Sequence, residues 1–308
     1  MPRAGIAQRK LAKLGWLGWV GGRPSPDSVP FESFRAGLRD LGWHEGSNLV
    51  IETRSGDRAN SAALARQLME VGVNVIVAQG PMVFGARGAV GSLPLLFSIN
   101  GDPVGAKLVT TLARPGGMLT GVTALSAELS AKRLEFLREL VPHATRVAAI
   151  ANQAHAGVEV EFEATQAGAR RLGLSVKWFP VYSAREFDGA FEAMAAEGVQ
   201  AVIAVPDTLI NLQAGAIAQF AARRRVPAIS GWAEFAEAGN VLSYGPSLQG
   251  FYRHVAVYAD KVLKGASPGE LPVEQPKDLE LVINAAAAKA TGIGIPQTLS
   301  LRASRVIQ

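Results

Sequence analysis

The stretch FSINGDPVGAKLVTTLARPGGMLTG, Phe97 to Gly121, gathers Gly101, Asp102, Gly105 and Lys107 in one loop. A glycine-rich loop with a lysine can cradle phosphates. Backbone amides and the ammonium meet the phosphate oxygens, and a hydroxyl after the lysine holds magnesium. That chemistry needs four residues between the glycines and Ser or Thr after the lysine. Here three residues separate Gly101 from Gly105, Ala106 precedes Lys107, and Leu108 follows it. The magnesium-holding hydroxyl is missing, so the ATPase reading fails.

Other catalytic patterns fail in the same way. After VNVIVAQ the glycines are Gly80, Gly85 and Gly88, not the G-x-G-x-x-G of a dinucleotide turn. GPSLQG near Gly245 lacks the spacing of a nucleophile elbow. Glu234 and Glu237 lie on a short helical pattern and read as a solvated face. The four histidines, His44, His143, His155 and His254, are scattered without zinc-ligand spacing, and there is no cysteine. The expectation is a protein that is not an enzyme and that uses no cofactor or metal.

A recurrent set of small, polar and aromatic residues stands instead at the ends of the apolar runs. In the first half these are Trp19 with Gly21–Gly22, then Gln79, Gly80 and Pro81, then Asn100 and Asp102. In the second half they are Asn152, then Pro206, Asp207 and Thr208, then Ser230, Gly231 and Trp232, then Tyr244. Each has two readings. Asn, Asp and Thr before a helix serve as N-caps and Gly–Pro pairs as turns, or the set meets a ligand. Their recurrence at equivalent places favours the ligand for the set as a whole. The amides after Gly80–Pro81 are then suited to a carboxylate. Trp19, Trp232 and Tyr244 are suited to wall an apolar side chain, with core packing as the other reading.

The elements that must carry these residues alternate. KLGWLGWV, NLVIETR, VNVIVAQ, LPLLFSI, RVAAIA, LSVKWFPV, AVIAV, VPAISG, VLSYG and LELVIN read as strands. Most are continuous apolar runs, as for strands covered on both faces. The helical patterns between them are Phe31–Leu41, Ser61–Val71, Glu128–Val141, Val158–Leu172, Arg185–Glu197, Leu209–Arg223 and Ser247–Lys264. The layout predicts an α/β fold of two doubly wound parallel-sheet lobes joined by a hinge. Lobe 1 is expected over 13–121 plus 246–272, and lobe 2 over 122–245 plus 273–308. The crossings fall near Val122, Gly245 and Pro272–Val273. Ligands of such sheets bind beyond the carboxyl ends of the strands, so the expected site is a cleft faced by both lobes.

The 308 residues suit two lobes, and 48% apolar with 19% charged residues is a globular composition. The formal net charge is +5, but the longest basic run, Arg223–Arg225, ends a helical pattern and suits the helix dipole rather than nucleic acid. MPRAGIAQRKLAK is basic like the start of a signal peptide. LGWLGWVGGRPSP, which follows, is too short and glycine-broken for its apolar core, so no convincing export signal is read.

GWHEGSNLVIETR, GDPVGAKLVTTLARPGGMLTGV, SAKRLEFLRELVP, LSYGPSLQGFYRHVAVYADKVLKGASPGELPVEQPKDLELVIN and AKATGIGIPQTL, kept in that order from about Lys13 to Ile307, resemble the ABC-transporter substrate-binding family that includes the tryptophan-binding lipoproteins. The resemblance implies a two-lobed binding protein of the type I periplasmic kind that performs no chemistry. Its ligand is a small amino-acid-like or aromatic or apolar carboxylate. It implies ABC permease subunits as partners, a membrane reached only through them, a periplasmic location and a monomer. It also places Asp102 to meet the ligand, with an ammonium or a backbone amide as the donor it needs, and makes ARPGG (Ala113 to Gly117) a turn towards the hinge. Two features depart from the family: no lipobox cysteine, and Gly80–Pro81–Met82 where Gly-Thr-Pro is common. The alternative is an intracellular ligand sensor on the same bilobal module.

Overall fold

The computed structural model describes residues 11–19, 28–124, 126–155 and 157–308. The expected end of the first strand at Val20 and the Gly21–Gly22 pair lie outside them. The chain forms two compact units. Unit 1 is Met1–Ser98, Ala113–Gly121 and Tyr252–Pro272; unit 2 is Ile99–Leu112, Val122–Phe251 and Val273–Gln308.

Unit 1 is built on β1 (Ala12–Trp19), α1 (Val29–Asp40), β2 (Leu49–Gly56), α2 (Ser61–Glu70), β3 (Val75–Gln79), α3 (Met82–Ala89), β4 (Leu95–Ile99) and β5 (Leu119–Thr123). The sheet order is β2-β1-β3-β4-β5. β1 pairs parallel to β2 and β3, and β3 to β4. The central strands are buried along their whole length, which explains their continuous apolar sequence. Trp16 anchors one face: its ring lies 5.1 Å from Phe31, 5.0 Å from Phe34 and 6.0 Å from Tyr252. ARPGG packs on the turn at Pro268–Glu270, where the Gly116 amide donates to the Gly269 carbonyl.

Unit 2 continues with α4 (Ser126–Leu140), β6 (Arg146–Asn152), α5 (Val158–Arg171), β7 (Ser175–Val181), α6 (Phe187–Ala196), β8 (Ala201–Ala204), α7 (Thr208–Leu212), α8 (Ala214–Arg224), β9 (Ala228–Ser230), α9 (Ala233–Glu237) and β10 (Leu242–Pro246). Then come α10 (Leu248–Leu263), β11 (Leu279–Asn284), α11 (Ala285–Thr291), α12 (Gln297–Arg302) and β12 (Arg305–Ile307). α10 begins in unit 2 and ends in unit 1. The sheet order is β12-β11-β10-β9-β8-β6-β7. Its last five strands repeat the order of unit 1. β11 runs antiparallel to β10 and parallel to β12, so LELVIN forms a strand as expected but against the direction of β10. The core of unit 2 packs Leu134 and Leu137 of α4 on Val147, Ile203, Leu242 and Ile283, which the strand registers place on one sheet face.

The segment Leu209–Arg223 reads as one helix and is two. The chain breaks at Gln213, whose amide is shared between the Leu209 and Ile210 carbonyls. Buried Asn240 donates Nδ2 to the Ala214 and Phe235 carbonyls. That side chain, 26 residues on, ties the start of α8 to α9. Among the described residues, no helix is long and apolar enough to cross a membrane.

Candidate functional site

In a sheet of order 2-1-3-4-5 the winding reverses between strands 1 and 3, and ligands bind beyond the carboxyl ends there. In unit 1 that point lies between β1 and β3; in unit 2 it lies between β6 and β8.

At the reversal of unit 1 stand Trp19 and Gln79. Gln79 is buried, and its Oε1 accepts the Trp19 amide at 3.1 Å. Trp19 itself is buried. Gly80 continues the sheet through its amide to the Ser98 carbonyl at 2.8 Å. Pro81 stands immediately before α3 with helical dihedrals, φ −66° and ψ −9°. The Val83 and Phe84 amides donate to the Gly80 and Pro81 carbonyls, so these two amides of the expected carboxylate cradle have partners within the turn.

The glycine-rich loop belongs to unit 2 and closes on itself. Asp102 Oδ1 accepts the Val104 amide at 2.8 Å, and the Asp102 carbonyl accepts the Ala106 amide at 3.0 Å. The Lys107 and Leu108 amides go to the Val104 and Pro103 carbonyls. The Val104, Ala106, Lys107 and Leu108 amides are therefore spent within the loop. The loop is fastened at its start: Asn100 Nδ2 donates to the Pro206 carbonyl at 3.0 Å, and Thr123 Oγ1 to the Gly101 carbonyl at 2.6 Å. Gly157 permits the approach of Gly101 and Asp102. Its φ is +86°, and a Cβ there would lie 3.2 Å from the Asp102 nitrogen and from Gly101 Cα.

The reversal of unit 2 brings Asn152 and Asp207 together, with Nδ2 to Oδ1 at 3.0 Å. Asp207 also caps α7, accepting the Leu209 amide at 2.7 Å, and Asn152 Oδ1 accepts the Ala154 amide at 3.0 Å. Thr208, half-buried, is the first residue of α7. Trp232 is buried at the start of α9, where its carbonyl accepts the Phe235 amide. The Tyr244 ring packs against the core of unit 2, edge-on to Phe136 at 4.9 Å. Trp19 with Gln79 forms one group, and Asn100, Asn152 and Asp207 with the Asp102 loop form another. Tyr244 turns its ring to the core.

Sequence reasoning missed a buried charge cluster beside Asp207. His155 Nε2 lies 3.0 Å from Glu161 Oε1, and Nδ1 lies 3.7 Å from Asp207 Oδ2. All three side chains are buried, Glu161 completely. Burial by itself pushes the imidazole down. The charge of Glu161, its hydrogen bond and the charge of Asp207 together outweigh this, so His155 titrates above the ordinary histidine value. Arg133 on α4 is 1% exposed and donates Nε to the Tyr244 carbonyl at 2.9 Å. Burial lowers its pKa to about 10, against the opposing charges of Glu161 and Tyr244. A Cβ on Gly231 would meet Arg133 Nη2 at 2.9 Å, which puts the guanidinium directly behind the end of β9. A signal for two of these residues was present. Arg133 lies on the buried stripe Ser130, Arg133, Leu134, Leu137, and Glu161 on the stripe Val158, Glu161, Thr165.

Glu234 corrects another expectation. Glu237 is exposed and paired with Arg305, but Glu234 is half-buried, with an Oε2 that has no hydrogen-bond partner. Burial raises its pKa, with like charge from Glu237 and Glu280 adding to the effect. It does not stand on a solvated face.

Residues 28–307 match the family described as ABC transporter substrate binding protein. The chain is 25% identical over 272 residues to the tyrosine-binding protein of Clostridioides difficile (strain R20291), covering 87% of this chain and 77% of that one. Among solved structures, a conserved domain protein from Vibrio cholerae superposes with a TM-score of 0.89 at 26% identity, over 96% of this chain and all of that one. An ABC domain from Streptococcus pneumonia in complex with L-Trp gives a TM-score of 0.87 at 26% identity, over 96% of this chain and 99% of that one. The two mostly parallel sheets are those of type I periplasmic binding proteins. Fold and family model agree: this chain belongs to the ABC transporter substrate-binding proteins, which hold small-molecule solutes.

Proposed function

We propose that the chain captures an amino-acid-like solute with an aromatic or apolar part and hands it, unaltered, to ABC permease subunits. The observation that carries this is the likeness to a protein holding L-Trp over 96% of the chain; the likeness to a tyrosine-binding protein supports it. The proposed contacts are Trp19, Gln79, Gly80 and Pro81 in unit 1. In unit 2 they are Asn100, Asp102, Asn152, Asp207, Thr208, Trp232 and Tyr244. In this reading the chain catalyses nothing, works outside the cytoplasm as a monomer, and meets neither nucleic acid nor, except through the permease, the membrane.

Calorimetry against L-tryptophan, L-tyrosine, the other amino acids and aromatic acids tests it. The tightest solute should carry an amine. Asp102→Asn should weaken its binding by about 1.5–3 kcal/mol through loss of a charged partner. Melting of the ligand-free protein should barely move, because Asn can still accept the Val104 amide that Asp102 accepts now. A tightest solute without an amine, or unchanged affinity in a folded Asp102→Asn variant, would remove the aspartate from the site.

A further inference from the structure

His155, Glu161 and Arg133, the buried charges beside Asp207, are not in that contact set, yet they hold it. His155 faces Glu161 of α5 and Asp207 of the turn before α7. Arg133 of α4 faces Glu161 and, from β10, Tyr244. The loop that packs on Gly157 brings backbone there, its Asp102 Oδ1 being turned to the Val104 amide. With His155 protonated, two cations meet two carboxylates. Without that proton one buried carboxylate is left uncompensated, a costly state. Glu161 is the less able to bear it, since its Oε2 already lacks a hydrogen-bond partner.

We propose that protonated His155 is a positioning residue for solute binding: it holds Asp207, and through it Asn152 and the Pro206 turn, in the arrangement that binds. This rests on the strand ends of unit 2 being solute contacts. The linkage runs through bonds already described. Asp207 Oδ1 holds the Leu209 amide and Asn152, Asn152 holds the Ala154 amide, and the Pro206 carbonyl next to Asp207 holds Asn100. A shift of Asp207 away from a neutral imidazole therefore disturbs three proposed contacts at once.

The test starts on the ligand-free full chain. Imidazole NMR follows His155, assigned by elimination from the signals lost in His44→Gln, His143→Gln and His254→Gln, between about pH 5.5 and 8.5. Hydrogen exchange follows the Leu209 and Ala154 amides over the same range. Their protection, corrected for the intrinsic pH trend, should fall about tenfold or more as His155 loses its proton. It should be low at every pH in His155→Gln, while β1 and β3 stay unchanged. Calorimetry with the tightest amino acid of the panel should show affinity falling with the same midpoint in the natural chain and no such step in the variant. Protection that ignores the titration, or an affinity that does, overturns the proposal. The exchange titration of the natural chain decides even if His155→Gln does not fold. If no amino acid binds, the function reading fails and the binding claim fails with it, while exchange still judges whether His155 holds Asp207.

Discussion

At the reversal of unit 1 a neutral amide, Gln79, accepts the Trp19 backbone nitrogen. At the same topological place in unit 2, Asn152 and Asp207 meet beside His155, Glu161 and Arg133. The strand order is shared; the chemistry is not. A neutral buried hydrogen bond depends little on pH and salt. A set of buried charges depends on each of its members, because removing one leaves another without compensation. One topology can thus be given a fixed end and a switchable one by a few side chains.

The sharpest way to break this contrast is Glu161→Ala. It leaves His155 and Arg133 without their shared carboxylate and should cost unit 2 about 3–5 kcal/mol. Urea unfolding measures the loss, and hydrogen exchange assigns it to β6 and β8 rather than β1 and β3. A loss below about 1 kcal/mol would mean that the charges are dispensable. Gln79→Ala should cost unit 1 about 1–3 kcal/mol by leaving the buried Trp19 amide unpaired. That cost should be the same at pH 6 and pH 8. The His155 contribution differs: its folded pKa stands above the ordinary 6.5, so it is full below that value and lost as pH rises through the folded one. A pH-dependent Gln79→Ala penalty would erase the distinction. The smallest effect is expected for Gly157→Ala, about 1–2 kcal/mol from forcing an L side chain into the left-handed region. Its Cβ would also press on Gly101 and Asp102. Exchange of the Val104 and Ala106 amides should rise while the His155 titration holds. If His155 shifts as well, loop and charge cluster are one unit rather than two.

Much of the fold was legible because its strands are covered on both faces, so the apolar runs of β3, β4 and β6 announce themselves. β5 was not, since LTGVT is short and set in a glycine-rich stretch. Nor was the direction of β11, which follows from the path of the chain rather than from composition. At the candidate site, Asn152, Asp207 and Gln79 stood out as polar residues ending apolar runs. That Asp207 caps α7 while also holding Asn152 could not be read, because the partner is 55 residues away. Arg133 and Glu161 were visible as charges on apolar stripes, but compensation across two helices and a loop is a tertiary property. The half-buried ring of Tyr244, expected as a wall for ligand with core packing as the other reading, has one edge contact on Phe136, a neighbour that the strand pattern around it does not announce.

The path of the chain has a consequence for biosynthesis. Most of unit 1 precedes most of unit 2 along the chain, but Tyr252–Pro272 follows Phe251, so unit 1 cannot be finished until most of unit 2 has been made. At about 5–20 residues per second, the 130 residues Val122–Phe251 take roughly 6 to 26 seconds. Until then Trp16 lacks the ring of Tyr252, and Gly37 lacks the backbone of Arg253 that a Cβ there would meet at 3.1 Å. A nascent chain stalled before Tyr252 therefore exposes apolar surface in the unit made first, and a holdase should bind it there. Of the two units, the one begun first waits on a segment made after most of the other.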